Sequence, residues 1–176
     1  MNILVTVASR HGSTLEIGEA IAAAIQSSGV DAEVLPTEAV ATLDDYDAVV
    51  LGSGVYAGHW MRGARTFVDD HEVDLKGLPV WIFSSGPIGD PPTPMENPAE
   101  VAAISKRISA RGHRLFAGKI DGSDLGLAER ALIKLVRAPH GDYRSWSEIS
   151  VWGQDIAATL LEPSRAPTTT TNGATA

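Results

Sequence analysis

Hydrophobic positions fall along the chain in two alternating rhythms, short runs of aliphatic residues and longer stretches in which apolar residues recur every three or four positions. The first run, residues 2–8, predicts a strand. Residues 14–27 then place Ile17, Ala20, Ile21, Ala24 and Ile25 on one stripe, predicting a helix that Gly29 stops. Further strands are predicted at 31–35, 48–51, 79–83 and 115–120, and further helices at 62–71, 98–110, 125–137 and 145–161. The run Ala48, Val49, Val50, Leu51 is apolar at every position, as in a central strand covered on both faces. The last helix opens with Ser145 and carries Glu148 three residues on, the spacing of a capping box, and its inward stripe is Ile149, Trp152, Ile156 and Leu160. Residues 87–98 hold five prolines, which excludes regular structure. Residues 163–176 have no apolar periodicity and are expected to be disordered, leaving one domain over residues 1–162.

Strands alternating with helices in a chain too short for a barrel predict an α/β fold, a three-layer doubly wound sheet of five parallel strands. Such sheets bind ligands beyond the carboxyl ends of their strands. Three connections lie there: residues 9–14, 52–59 and 84–90.

Composition narrows the function. The chain has 176 residues, 44% of them hydrophobic, with 14 basic and 22 acidic residues for a net charge of −8. That balance argues against nucleic acid as a partner, since such binding rests on neutralising phosphates with basic side chains. The absence of cysteine excludes disulfides, thiol nucleophiles, iron–sulfur clusters and Cys-ligated zinc. The N-terminal apolar run is too short for a signal peptide or anchor, and a cytoplasmic location is expected. Charge is unevenly spread: residues 1–76 carry 4 basic and 12 acidic side chains, whereas residues 103–137 carry 8 basic and 3 acidic. Two readings fit the basic stretch. It is an ordinary solvated helix surface, or Lys106, Arg107, Arg130, Lys134 and Arg137, beside apolar Ala131, Leu132 and Ile133, form a peripheral contact with an anionic membrane.

The first connection, Ser9, Arg10, His11, Gly12, Ser13 and Thr14, gathers hydroxyls, a glycine and backbone N–H donors where a helix begins. These suit a phosphate even in an acidic protein, because the helix terminus supplies the positive potential. The simpler alternative is a capping box made by Ser13 and Glu16. No Gly-x-x-x-x-Gly-Lys-Ser/Thr loop occurs, and the glycines at 52, 54 and 58 miss the dinucleotide spacing by one residue and follow the third strand instead of the first. A hydrolase lacks its Gly-x-Ser-x-Gly elbow, since Ser84 and Ser85 follow Phe83. A response regulator lacks its acidic cluster after the first strand. The histidines show no metal-ligand spacing, so no metal site is expected.

Ser9-x-x-Gly12-x-Thr14 resembles the phosphate loop of flavodoxins, which bind FMN. The segments from Gly52 to His59 and from Asp142 to Trp146 resemble, more closely, the menaquinone-dependent protoporphyrinogen IX dehydrogenase family of flavodoxin-like enzymes, in order over residues 1–161. The resemblance implies strand order 2-1-3-4-5, with Ser9, Arg10, His11, Gly12, Ser13 and Thr14 around the FMN phosphate. It implies that Ser53, Gly54, Val55, Tyr56, Ala57 and Gly58, together with Ser84, Ser85 and Gly86, flank the flavin ring. Tyr56 is then placed to stack on that ring, the alternative being that it merely covers a strand end. His59 is placed to exchange a proton at the ring's open edge, the alternative being an exposed residue at a helix start. The activity implied is oxidation of a tetrapyrrole, protoporphyrinogen IX, with a quinone as acceptor. The runner-up is a flavodoxin-type electron carrier docking to redox partners, for which the acidic first half suits a basic partner face. Where that family has a strongly basic segment after the fourth strand, residues 86–97 here carry Asp90 and Glu96 and no basic residue.

Overall fold

The computed structural model describes residues 1–56, 58–86, 99–120 and 141–162. The proline-rich segment 87–98, the helix expected at 125–137, Ala57 and the tail lie outside them. In chain order the elements are β1 (Asn2–Ala8), α1 (Ser13–Ser27), β2 (Asp31–Pro36), a 3-10 turn (Thr37–Ala39), β3 (Ala48–Tyr56), β4 (His59–Trp60), α2 (Arg62–Asp70), α3 (Glu72–Gly77), β5 (Val80–Ser85), α4 (Ala99–Arg107), β6 (Gly112–Phe116), β7 (Lys119–Ile120), β8 (Gly141–Asp142) and α5 (Trp146–Leu161).

Five strands pair in parallel in the order β2-β1-β3-β5-β6, which is 2-1-3-4-5 once the short antiparallel β4 is set aside. Side-chain alternation divides the interior into two cores. On one face Ile3, Val5, Val7, Val50 and Phe83 meet Ile17, Ile21 and Ile25 of α1 and Ile149, Trp152 and Ile156 of α5. On the other, Leu4, Val49, Leu51 and Ile82 meet Ala64, Phe67 and Val68 of α2, Leu75 of α3, and Val101 and Ile104 of α4. At Gly153 an added Cβ would lie 2.9 Å from the carbonyl oxygen of Ile21, so the missing side chain lets α5 lie close on α1. Ser145 caps α5 as its spacing predicts, accepting from the Glu148 N–H at 3.4 Å.

Four elements differ from their sequence-based expectations. β3 runs on through Gly52 to Tyr56, because Gly52, Ser53 and Gly54 continue the ladder with Phe83, Ser84 and Ser85. His59 lies in a strand and not at a helix start, for β4 folds back on β3 with Val55 opposite Trp60 and Tyr56 opposite His59. The helix expected at 62–71 forms as α2, and a second helix that the pattern does not predict, α3, follows after His71 (φ −115°, ψ 19°), which re-aims the chain so that both Phe67 and Leu75 reach the second core. The strand expected at 115–120 instead pairs with β5 over Gly112–Phe116. The ladder stops where β5 does, at Ser85 opposite Phe116, and Lys119–Ile120 leaves the sheet to pair antiparallel with Gly141–Asp142.

Candidate functional site

The loop after β1 brings a helix terminus to the carboxyl edge of the sheet. Gly12 stands at the N-cap of α1 with φ +79°, a left-handed conformation that glycine adopts without a Cβ penalty. No side chain caps this helix, so the Ser13–Glu16 capping box does not form. The first-turn N–H groups therefore lack the side-chain acceptor that usually satisfies one of them. In the loop that leads into this helix the buried Ser9 Oγ has no hydrogen-bond partner, a state shared among the described residues with Thr6 Oγ1 alone. An unused hydroxyl in the loop before an uncapped helix start fits an oxyanion of phosphate type. Arg10 is exposed, His11 and Ser13 are half-buried, and Thr14 is buried.

The β3–β4 hairpin forms the second wall. Cross-strand partners share a face, so Val55 and Trp60 face the second core while Tyr56 and His59 face outward. Gly58, at φ +80°, makes the reversal; Ala57 lies outside the described residues. Gly54 shares the outward face, and a Cβ there would lie 3.1 Å from Tyr56 Cε2 and 3.2 Å from Thr14 Oγ1. Gly54 thus lets the Tyr56 ring and the Thr14 side chain approach β3 more closely than a Cβ would allow. The His11 and Tyr56 rings lie near one another, centroids 6.3 Å apart and tilted by 58°, and Tyr56 is 40% exposed. Of the predicted site residues, His11, Thr14, Gly54 and Tyr56 are thereby brought together.

Three serines at the ends of β3 and β5 are buried. Ser53 is fully buried; its Oγ donates to the Gly54 carbonyl and accepts from the Met61 N–H, both at 2.9 Å, which ties the end of β3 to the residue after the hairpin. Ser84 is also fully buried, its Oγ accepting from Trp60 Nε1 at 2.8 Å and lying 2.9 Å from His113 Nε2. The Ser84 oxygen accepts from Trp60, and its contact with His113 Nε2 ties the imidazole to the same hydroxyl. Ser85 is buried and Gly86 donates its N–H to the Phe116 carbonyl at 3.2 Å. The hydroxyls of Ser53 and Ser84 thus brace the site from behind.

Glu100, at the start of α4, holds the hairpin from outside. Its Oε1 accepts from the Trp60 backbone N–H, and its Oε2 lies 3.3 Å from His59 Nδ1 and 4.0 Å from Arg65 Nη1. Neither Glu100 nor Arg65 stands out in the sequence, because Glu100 is 40 positions from Trp60. Burial pushes the His113 imidazole below its ordinary value. A histidine whose folded pKa lies below that of the unfolded chain, about 6.5, leaves the native state with fewer protons. Its contribution is whole above that pH and erodes as the pH falls through the lower folded value. The urea midpoint of the wild type should therefore drop between pH 7 and 5 more than that of His113→Gln, which keeps a hydrogen-bond partner for Ser84; parallel curves would refute this.

A further side chain that the sequence marks with no role lies beside the first loop. Arg144 precedes α5, with its side chain 2% exposed, yet Nη1 donates to the Ser13 carbonyl at 3.0 Å and Nη2 lies 2.7 Å from Glu16 Oε2. Nε and Nη2 make a forked pair with Asp142 at 2.8 and 2.7 Å, and the guanidinium sits 4.3 Å from the centre of the Trp146 ring. The Arg144 guanidinium holds the Asp142 carboxyl below the usual carboxylate range. Of the basic stretch, Arg107 is committed to Asp69 and Glu72 at 2.7 and 2.6 Å, while Arg130, Lys134 and Arg137 lie outside the described residues. Among the described residues no cluster of side chains could hold a metal ion, and no helix is long and apolar enough to cross a membrane.

Comparison with known proteins agrees with this geometry. The chain is 23% identical to the Escherichia coli K12 protein named protoporphyrinogen IX dehydrogenase [quinone], over 93% of this chain and 98% of that one. Among solved structures, an archaeal flavodoxin superposes with a TM-score of 0.64 at 21% identity, covering 91% of this chain and 99% of its own. Flavodoxin 1 of Bacillus cereus gives 0.61 at 15% identity, covering 90% and 98%. The flavodoxin domain family itself matches residues 4–147, a span that runs from β1 through the Arg144 corner into α5, and the chain is a member of that family.

Proposed function

We propose that the protein binds FMN at the carboxyl edge of the sheet and acts as an oxidoreductase of the protoporphyrinogen dehydrogenase type, passing electrons from a reduced donor to a quinone. The observation that carries this reading is the unpartnered Ser9 hydroxyl in the loop that leads into the uncapped start of α1, with Tyr56 and Thr14 brought together over Gly54 at the same end of the sheet. Ser9, Gly12, Ser13 and Thr14 would hold the phosphate, Arg10 and His11 would border it, and residues 53–58 with Ser84, Ser85 and Gly86 would frame the ring. When bound, the flavin supplies hydride and electron acceptance. Tyr56, 40% exposed, would offer its ring face to the flavin. His59, with Nδ1 held by Glu100, keeps Nε2 for a proton exchanged with donor or solvent. The chemistry needs no protein nucleophile.

A flavodoxin-type carrier without its own substrate is the second reading, favoured by the superposition on flavodoxins. FMN-loaded protein that oxidises protoporphyrinogen IX with menaquinone supports the enzyme; loaded protein that only relays electrons between other proteins supports the carrier. FMN titration followed by flavin absorbance tests both, and colourless protein would reject both. Ser9→Ala sharpens the test. It should weaken FMN binding about tenfold to a hundredfold, the worth of a hydrogen bond to a charged group, while raising the stability of the free protein by about 1 kcal/mol through loss of an unsatisfied buried hydroxyl. Equal FMN affinity in the variant would remove Ser9 from the site.

A further inference from the structure

We infer that Arg144 is the positioning residue of the phosphate loop: it neutralises Glu16 and fixes the first turn of α1 so that the loop accepts a dianion. The inference rests on the FMN reading and extends it to a residue outside the three loops at the strand ends. Glu16 stands in the first turn of α1, at the terminus where the anion would sit. A carboxylate there suits the helix dipole when no ligand is present, but it repels a phosphate that uses the same terminus. Arg144 removes that conflict. It contacts Glu16 at 2.7 Å, and it also holds the Ser13 carbonyl at 3.0 Å.

The same cation must serve two carboxylates, Glu16 and Asp142, and the Asp142 fork is what aims it. With Nε and Nη2 fixed on Asp142 and the guanidinium plane against Trp146, Nη1 reaches Ser13 across 131 positions of sequence. Lysine offers one rotating point charge in place of this planar fork and cannot meet all three partners in the same geometry. Arg144 touches neither substrate nor ring in this account; it acts through Ser13 and Glu16.

Riboflavin, which is FMN without its phosphate, separates this role from a merely structural one. Wild type, Arg144→Met, Arg144→Lys, Glu16→Gln and the double variant Arg144→Met/Glu16→Gln are titrated with both flavins by fluorescence. Arg144→Met should weaken FMN at least tenfold while moving riboflavin less than twofold, and Arg144→Lys should fall between it and wild type. Adding Glu16→Gln should recover at least threefold of the FMN loss, and Glu16→Gln alone should tighten FMN without changing riboflavin. Equal losses for both flavins, or no FMN-selective gain from Glu16→Gln in either background, would overturn the role of Arg144. Should Arg144→Met not fold, Glu16→Gln and Arg144→Lys decide on the same FMN-to-riboflavin ratio. Wild type that binds neither flavin overturns the FMN reading, and the role of Arg144 with it.

Discussion

Trp60→Ala should lower the free energy of unfolding by about 4 kcal/mol, the scale measured when large aromatic side chains are deleted from cores. Trp60 is 1% exposed, packs in the second core, and is fixed at two further points, Nε1 on Ser84 and its backbone N–H on Glu100. Deleting the indole leaves a cavity beneath a strand of only two residues, β4, whose register depends on Trp60 lying inward opposite Val55. The hairpin should then lose its hold on Tyr56 and His59. Trp60→Phe keeps most of the volume and removes only the N–H, so it should cost about 1–2 kcal/mol. Urea denaturation of the two variants beside wild type measures the difference, and a loss of less than 1 kcal/mol for Trp60→Ala would refute the account. If the protein binds flavin as proposed, Trp60→Ala should weaken FMN and riboflavin by the same factor, because the hairpin walls the ring and not the phosphate.

Gly52→Ala should cost about 3 kcal/mol or more, through overpacking instead of a cavity. A Cβ at position 52 would lie 2.1 Å from Phe83 Cζ and 2.3 Å from Cε1, distances that require the ring to move. The ring has nowhere to go. Phe83 is fully buried and packs edge-on against Phe116 and Trp152, with centroids 5.9 and 6.2 Å away, and those two rings pack against each other at 5.6 Å. The strands cannot slide either, since Gly52 and Phe83 are register partners within a ladder held on both sides. Gly52→Ala combined with Phe83→Leu should recover part of the loss by freeing ring volume. Thermal or urea unfolding of the single and double variants gives the answer, and a single variant within 1 kcal/mol of wild type would disprove the clash.

Gly52 also illustrates what the sequence displays and what it hides. Glycines at 52, 54 and 58 read as a flexible loop, because glycine is rare in strand interiors. Two of the three lie in β3, Gly52 making room for Phe83 and Gly54 for Tyr56 and Thr14, and Gly58 alone of these has a positive φ. The parallel strands were legible where burial on both faces made continuous apolar runs, as at residues 48–51. β6 was legible only in part, because an edge strand carrying Gly112, His113 and Arg114 lacks that run. The loop of residues 9–14 and its hydroxyls were legible from local spacing alone. The contacts of Glu100 and of Arg144, the latter within the resembling segment from Asp142 to Trp146, were not, since their partners, Trp60 and Glu16, lie far away in sequence and only the folded sheet brings them near.

The two holds on the candidate site come from opposite layers. Arg144 grips the first loop from the α1 and α5 side, while Trp60 and Glu100 grip the hairpin from the α2 and α4 side, with the sheet between. Selection can therefore act on the two ends separately. Substitutions in the layer behind the hairpin can reshape the surface around Tyr56 and His59 while the start of α1 stays intact. If the protein binds flavin as proposed, its donor or docking partner can change from one lineage to the next while the end that holds the cofactor is inherited unaltered.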